Sequence, residues 1–275
     1  MSYGSSIAYS SSVQSDPAFS PDARKVAFVS VRGGSPEIWV TAIDTQMSTQ
    51  LTHFTGLSTG SPSWSPDGKY IAFDFKQSTG SQIYVVAADG GAPRQITAVP
   101  AENVVPSWSL DGRYIYFSSN RNGDFQIWQC RADTGETQSH PASQVTQKGG
   151  FRAFESVDGS YLYYAKGRGK PGLWRRGLLS NSGVEESVLE SLQEWGWWAL
   201  GPELVYFLDL PYAVNPQVRL KALNVKTGRI DELAKLAFPV LTATPALAVS
   251  QDGQHLAYSQ IDSMEADIML LQNLN

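Results

Sequence analysis

One short segment recurs along the chain and constrains the fold more than any other feature. Its clear copies are SPSWSPDGKYIAF (61–73) and VPSWSLDGRYIYF (105–117), and DPAFSPDARKVAF (16–28) is a looser copy. Three degenerate copies occupy 152–164, 198–207 and 246–258. The residues that precede the turn in each copy are Phe19, Trp64, Trp108, Glu155, Ala199 and Val249, at spacings of 45, 44, 47, 44 and 50 residues. Self-similarity at this period predicts a repeat architecture.

Each repeat has the composition of four short strands. After the turn come an alternating apolar strand, a loop with Gly or Asn, a strand with an aromatic or apolar centre such as QIYVV, and a short final strand such as RQIT. Strands of this length, bounded by Asp-Gly, Asn-Gly and Pro turns, are typical of a propeller blade. A single blade cannot bury both of its faces, so the blades must pack around an axis. The sequence therefore predicts an all-β fold, a six-bladed β-propeller with four antiparallel strands in each blade.

The predicted domain is a single propeller that covers residues 1–275. The sixth repeat ends after its third strand, DIMLL, and the N-terminal segment SSIAYSSS (5–12) has the composition of a strand. We expect residues near Ile7 to pair with the strand around Met269 and close the ring, which leaves no open edge. The predicted blades are 14–52, 59–97, 103–146, 150–190, 196–235, and 244–275 together with 5–12.

One segment allows two predictions. In VEESVLESLQEW (184–195), Val184, Val188, Leu192 and Trp195 recur at helical spacing. The repeat instead aligns ESVL with the final strands TQLT and RQIT of earlier blades. The alignment favours a strand followed by a longer loop.

Composition excludes several classes of protein. Hydrophobic residues make up 42% of the chain and charged residues 17%, which supports a large core. With 21 basic and 26 acidic residues the net charge is −5, so we expect no direct binding to nucleic acid. No apolar run approaches the roughly 20 residues that span a bilayer, and residues 1–13 lack the pattern of an export signal. We expect no membrane insertion and a monomer.

The repeat resembles that of the TolB-type propellers, which are related to WD-like repeats. The resemblance rests on P-x-W-S-P-D-G-K-Y-I-A-F, followed by a Gly-containing loop, Q-I-Y-V and Q-I-T. AFESVDGSYLYYAKGRGKPGLWRR and WWAL…VYFLD also resemble propellers attached to the winged-helix domains of bacterial transcriptional regulators. These resemblances imply a domain that senses a ligand or protein, and they favour a periplasmic location. The sequence contains neither a winged helix nor the α/β domain that precedes the propeller in TolB, so the partners of TolB do not transfer.

The motifs that suggest catalysis have simpler structural interpretations. GLSTG (56–60) matches the G-x-S-x-G nucleophile pattern but lies between two predicted strands, so Ser58 is interpreted as a loop residue. His53, His140 and His255 fall in different repeats and different strand connections, which argues against a histidine-rich zinc site. Five recurrent aspartates could suggest axial calcium, but aspartates in tight turns commonly bond their own backbone. We predict no cofactor, and these five are Asp22, Asp67, Asp111, Asp158 and Asp252.

Two further groups of residues have structural and functional interpretations. Cys130, the only cysteine, is predicted to be buried and inert. The basic residues Lys166, Arg168, Lys170, Arg175 and Arg176 form a solvated blade edge or a surface for an acidic partner.

Recognition of a protein, peptide or small ligand, without catalysis, is the predicted function. The alternatives are a metal-dependent sugar lyase or hydrolase with an axial active site, and a pure protein–protein scaffold. The SPDG-type turns are short and uniform, so we expect the ligand at the opposite, loop-rich end of the ring. Glu155 breaks the repeat where an apolar residue is expected, and pairing with Arg152 is its structural interpretation. The residues predicted to border one cavity at that end are His53, Phe54, Glu102, Asn103, Arg152, Glu155, Trp195 and Trp197.

Overall fold

A computed structural model describes most of the chain. The described residues are 5–8, 12–54, 58–167, 169–179, 183–210, 217–236, 240, 244–262 and 265–272. Gly56 of the GLSTG motif and Arg168 of the basic group lie outside them.

Within these residues the chain forms six four-stranded antiparallel sheets, and no α-helix is present. First strands of neighbouring blades contact one another, as β6 (Thr59–Trp64) does with β2 (Gln14–Phe19) on one side and with β10 (Asn103–Trp108) on the other. The first strands therefore form the innermost ring. The prediction of a six-bladed propeller is confirmed.

The first three blades contain the best-preserved repeats. The remaining strands of blade 1 are β3 (Lys25–Ser30), β4 (Glu37–Ala42) and β5 (Ser48–Gln50). Those of blade 2 are β7 (Tyr70–Gln77), β8 (Gly80–Ala87) and β9 (Arg94–Gln95). Those of blade 3 are β11 (Tyr114–Ser119), β12 (Gln126–Arg131) and β13 (Ser143–Gln144).

The last three blades keep the four-stranded order although their sequences have diverged. Blade 4 is formed by β14 (Phe151–Glu155), β15 (Tyr161–Gly167), β16 (Lys170–Gly177) and β17 (Glu185–Leu189). Blade 5 is formed by β18 (Trp198–Leu200), β19 (Leu204–Asp209), β20 (Arg219–Asn224) and β21 (Ile230–Lys235). Strand β17 and the non-helical segment after it confirm the strand prediction for 184–195.

Both chain termini contribute to blade 6. Strand β1 (Ser5–Ala8) pairs antiparallel with β24 (Glu265–Gln272), which continues to β23 (His255–Asp262) and β22 (Leu247–Val249). Ser6 lies opposite Met269, and the buried Ile7 side chain packs in a cluster with Ile268. The predicted closure of the ring is therefore confirmed.

The recurrent turn is held by a repeated set of hydrogen bonds. In blade 2 the Ser65 hydroxyl donates to Asp67 Oδ1 at 2.7 Å, and the same oxygen accepts from the backbone N–H of Lys69 at 3.1 Å. Four further turns have the same serine–aspartate pair. These bonds lower the pKa of the turn aspartates, to about 2 for Asp111. These aspartates therefore stabilise the turns, as the sequence predicted.

The single cysteine and three of the basic residues occupy structural positions. Burial is the largest cause that raises the pKa of Cys130, to about 12, so its thiol stays protonated at neutral pH. Lys166 pairs with Glu185 at 2.6 Å, and Arg175 pairs with Glu186 at 2.8 Å. Arg176 donates to the backbone carbonyl of Val145.

Candidate ligand-binding site

A cavity of about 250 Å³ lies inside the innermost ring of strands. All six blades contribute to its wall through β2, β6, β10, β14, β18 and β22 or the turns that follow these strands. The cavity extends from the middle of these strands to the SPDG-type turns. The sequence placed the ligand at the opposite end because its loops are irregular, but this cavity is set by the inner strands.

The inner end of the cavity is built on four equivalent backbone irregularities. Asp16, Ser61, Val105 and Arg152 have φ angles of 51–57°, and the pairing of each first strand shifts at these positions. A left-handed residue of this kind forms a β-bulge, which bends the strand and turns its N–H away from its own sheet. We refer to these four residues as the bulge residues.

Three bulge N–H groups are bound by the preceding blade. Asp16 Oδ2 accepts from Ser61 N at 2.9 Å, and Asp74 Oδ2 accepts from Val105 N at 3.1 Å. The Ser118 hydroxyl accepts from Arg152 N at 3.1 Å. Asp74 of blade 2 and Ser118 of blade 3 occupy equivalent positions on the second strands of their blades. The equivalent residue of blade 1 is Val29, whose side chain has no hydrogen-bond acceptor. Asp16 thus provides the acceptor that blade 1 lacks at that position.

Arg152 reaches from blade 4 to blades 5 and 6. One guanidinium nitrogen donates to the backbone carbonyls of Gly196 and Trp198 at 2.8 and 2.7 Å, and the other terminal nitrogen donates to Leu247 O at 2.9 Å. The side chain is 4% exposed, and burial lowers its pKa to about 10, so it remains charged at neutral pH. Three carbonyl partners fix its position across the ring, which makes Arg152 a rigid part of the inner end.

Asp16 is a buried carboxylate that lines the same cavity. Burial is the largest cause that raises its pKa, to about 6, and the negative charge of Asp74 also raises it. The bond from Ser61 N, the side chain of Ser15 and the charge of Arg152 lower the pKa by less. Oδ1 of Asp16 is buried without a hydrogen-bond partner of acceptable geometry in the described part of the chain.

Aromatic and proline rings form much of the wall. The indole N–H groups of Trp64 and Trp108 donate to Ala18 O and Ser63 O of the preceding blades, both at 3.0 Å. Each tryptophan therefore joins two blades, and both residues line the cavity. The hydroxyl of Ser107 is also buried in this wall, and it has no hydrogen-bond partner among the described residues.

The outer end of the cavity is bordered by the second residue of each turn, and we call these six residues the rim. They recur at spacings of 45, 44, 47, 45 and 49 residues, and all six line the cavity. Five of the six are apolar, although natural turns are usually polar. The rim consists of Pro21, Pro66, Leu110, Val157, Pro202 and Gln251.

Two of the eight predicted site residues, Arg152 and Glu155, line this cavity. The predicted ion pair between them is wrong. Glu155 Oε2 accepts from Leu110 N, and Oε1 accepts from the Tyr116 hydroxyl, both at 2.7 Å. Glu155 can bind these donors because it lies next to the turn of blade 3, whereas Arg152 is bound to carbonyls across the ring.

The other six predicted residues do not line it. Phe54 stacks on Phe75, with ring centroids 4.0 Å apart, and Glu102 pairs with Lys76. His53 is exposed and Asn103 is fully buried. The structure therefore does not group the eight side chains around this cavity.

Trp195 and Trp197 were predicted at a cavity edge but lie in the core. Trp195 packs edge-on against Phe151, with ring centroids 4.7 Å apart, and Trp197 lies in the large apolar cluster of blades 4 to 6. Both are buried because the long connection after β17 folds back against the ring, where Trp195 packs on Val104 and Phe151 of blades 3 and 4 and Trp197 joins the cluster of blades 4 to 6. The packing therefore assigns both tryptophans to the core rather than to a cavity edge.

Sequence reasoning missed Asp16, Ser107 and the rim. A signal for the bulges was present, since Asp16, Ser61 and Val105 each precede a proline in the first strand. Proline has no N–H to give to a β-ladder, so three prolines at one repeat position indicate an interrupted strand. Among the described residues, no three His, Cys, Asp or Glu side chains lie close enough together to hold a metal ion, and no helix is long and apolar enough to cross a membrane.

Comparison with known proteins identifies the family. Residues 4–190 match the model of the TolB beta propeller domain. The chain belongs to this family. A comparison with curated protein sequences found no match.

Solved structures of low sequence identity share the fold. TolB from Acinetobacter baumannii is 21% identical over 97% of this chain, with a TM-score of 0.52, and the match spans 56% of TolB itself. Oligogalacturonate lyase from Vibrio parahaemolyticus is 12% identical over 97% of this chain and 92% of its own, with a TM-score of 0.65. A chain in a nidogen/laminin complex is 13% identical over 82% of this chain and 80% of its own, with a TM-score of 0.63. At these identities the similarity establishes the fold only, and the same fold carries both enzymes and binding proteins.

Proposed function

We propose that this TolB-family propeller is a protein-binding module that receives a protruding segment of its partner at the turn end of the ring. The observation that carries the proposal is the rim, a circle of mostly apolar turn residues around the axial cavity. A concave site with aromatic walls and a few polar groups is typical of ligand recognition, and a pocket surrounded by contact surface is typical of binding hot spots.

The rim exposes apolar surface next to the pocket. Leu110 and Val157 are 39% and 51% exposed, on neighbouring blades, and both line the outer end of the cavity. Contiguous apolar surface around a concavity favours association, because covering it removes that surface from water. A partner segment would cover the rim while its tip enters the cavity.

Related folds support a binding role. A propeller of similar fold occurs in the nidogen/laminin complex, so this architecture can serve as a protein-binding surface. The oligogalacturonate lyase of similar fold keeps the enzyme class open as the competing hypothesis. The rim and cavity described above support recognition directly.

A peptide library displayed on phage provides a test that needs no known partner. We expect 12-residue peptides selected on the wild-type protein to lose binding to the variants Leu110→Glu and Val157→Glu. The matched controls Met47→Glu and Leu179→Glu place the same charge at residues 73% and 85% exposed that do not line the cavity. These controls should retain binding.

Two outcomes would overturn the proposal. Selection could yield no specific peptide, or the selected peptides could bind the rim variants as well as they bind the wild type. Loss of binding on substitution of His53 or Glu102, with the rim variants unaffected, would instead favour recognition at the loop-rich end, which remains a prediction.

A further inference from the structure

We propose that the group entering the axial cavity is a protonated amine on an aliphatic stem, bound by the carboxylate of Asp16. The amine is either a lysine side chain or the free amino terminus of a partner. This inference rests on the proposed function and identifies the chemistry that the cavity selects.

Unused hydrogen-bonding capacity provides the first argument. Asp16 Oδ2 already accepts from Ser61 N, whereas Oδ1 is buried without a hydrogen bond of good geometry among the described residues. The side chain of the adjacent Ser15 lies near enough to lower the pKa of Asp16 but makes no bond of that quality. The Ser107 hydroxyl, on the wall of blade 3, is likewise buried without a partner among the described residues. Buried polar atoms without partners are costly, and a carboxylate oxygen can only accept. An ammonium group brings three donors and no acceptor, so it matches this oxygen.

The charges around Asp16 provide a second argument. The positive charge of Arg152 favours the ionised form of Asp16, whereas the negative charge of Asp74 opposes it. The guanidinium of Arg152 is bonded to three backbone carbonyls on blades 5 and 6 and is fixed there. A ligand cation beside Asp16 would offset the repulsion from Asp74.

The shape of the cavity favours an alkyl stem. Its wall carries the side chains of Trp64, Trp108 and Phe154 together with several proline rings, and its volume of about 250 Å³ suits a small group. Aliphatic chains pack well on such rings, and aromatic faces attract cations. An anionic ligand would instead meet Asp16 at the inner end and Glu155 near the outer end, so carboxylates and phosphates are disfavoured.

The inference also predicts a pH dependence. Burial raises the pKa of Asp16 to about 6, with Asp74 on β7 adding to the rise and Arg152 on β14 opposing it. Alkylammonium groups, with pKa values near 10.4 in lysine, stay charged from pH 5 to 8. We therefore expect ammonium affinity to fall as the pH drops through 6, because Asp16 then becomes neutral.

The test follows the tryptophan indole N–H signals of the full-length protein by NMR. The chain has eight tryptophans, and the variants Trp64→Phe and Trp108→Phe assign the two that line the cavity. The probes are n-butylammonium chloride, 1-butanol and sodium butyrate, titrated at pH 7.5 and pH 5.0. At pH 7.5 we expect the Kd of n-butylammonium, obtained from the shifts of these two signals, to be at least tenfold lower than the Kd of 1-butanol. Sodium butyrate should shift neither signal.

Two variants locate the effect. Asp16→Asn keeps an oxygen for the Ser61 N–H but removes the charge, so n-butylammonium should bind at least tenfold more weakly while 1-butanol is unaffected. Asp44→Asn is the matched control, because it makes the same substitution at an exposed residue that does not line the cavity. It should retain ammonium binding.

The outcomes separate this inference from the proposed function. If n-butylammonium and 1-butanol bind equally, or if Asp16→Asn binds n-butylammonium normally, the amine inference is wrong while the cavity still binds ligands. If no probe shifts either signal, the amine inference fails here, and the phage selection decides the proposed function separately. Comparing acetyl-Gly-Lys-Gly-amide with Gly-Gly-Gly-amide then distinguishes a lysine side chain from an amino terminus.

Discussion

Replacing Asp16 with Asn should stabilise the protein at neutral pH. Burial raises the pKa of this carboxyl from its ordinary value of 3.8 to about 6. The folded state therefore holds its proton to a higher pH than the unfolded state does, and folding stability falls as the pH rises from about 4 to 6. At about 1.4 kcal/mol per pH unit, ionising this buried group costs the wild-type protein about 3 kcal/mol above pH 6.

The Asn variant avoids this cost and keeps the local structure. Its side-chain oxygen can still accept from Ser61 N, and Asn tolerates the φ of 57° at this bulge. The pKa of about 6 already includes the favourable charge of Arg152, so we expect a net gain of up to about 3 kcal/mol at pH 7.5. For a chain of this size, 3 kcal/mol corresponds to a Tm increase of about 5 °C.

Thermal unfolding by circular dichroism from pH 4 to pH 8 measures this effect. The Tm difference between Asp16→Asn and wild type should be near zero at pH 4, grow between pH 4 and 6, and then stay constant. Asp67→Asn is the control with the opposite sign, because hydrogen bonds from Ser65 and Lys69 lower the pKa of Asp67, so it should destabilise the protein at neutral pH. A constant difference from pH 4 to 8, or destabilisation by Asp16→Asn at pH 7.5, would refute the reasoning.

Two further predictions concern packing. Ile7→Ala should lower the free energy of unfolding by about 2–4 kcal/mol, because this buried side chain anchors the closing strand. The control Val13→Ala, at a residue 41% exposed, should change it by at most about 0.5 kcal/mol. Chemical denaturation measures both values, and equal effects would contradict the closure argument. Trp64→Ala should lower the free energy of unfolding by about 3–5 kcal/mol. Trp64→Phe should lower it by clearly less, because Phe keeps most of the packing and loses mainly the N–H bond to Ala18 O. An alanine variant that melts like wild type would show that the indole is not structural.

Most of the fold was predictable because it depends on local, repeated signals. The serine–aspartate turns, the alternating strands and the 44–50-residue spacing specify six blades without knowledge of any long-range contact. Closure by residues near Ile7 was also predictable, because a missing outer strand at one end of the chain and a spare strand at the other have one simple solution.

Much less of the candidate site was predictable. Arg152 was identified as unusual, but its bonds to Gly196 O and Leu247 O join residues 44 and 95 positions apart in the chain. Only the closed ring brings these atoms together. The loop-rich end was favoured because its connections are irregular, yet Trp195 and Trp197 in one of those connections fill the core. Irregular length shows where a repeat is interrupted, and it does not show whether the extra residues face solvent, ligand or core.

The departures from the repeat nevertheless converge at the inner end of the axial cavity. Of the four bulge residues, Ser61 and Val105 are uncharged, and only Asp16 and Arg152 carry charges. The charge of Arg152 has a structural role, because its guanidinium donates to three backbone carbonyls. The charge of Asp16 has no such role, since an asparagine at position 16 could accept the same Ser61 N–H without the cost of a buried charge. Groups that reduce stability in this way are expected mainly at functional sites. A pH-dependent gain of stability in Asp16→Asn, together with loss of ammonium binding, would therefore assign Asp16 to ligand recognition rather than to folding.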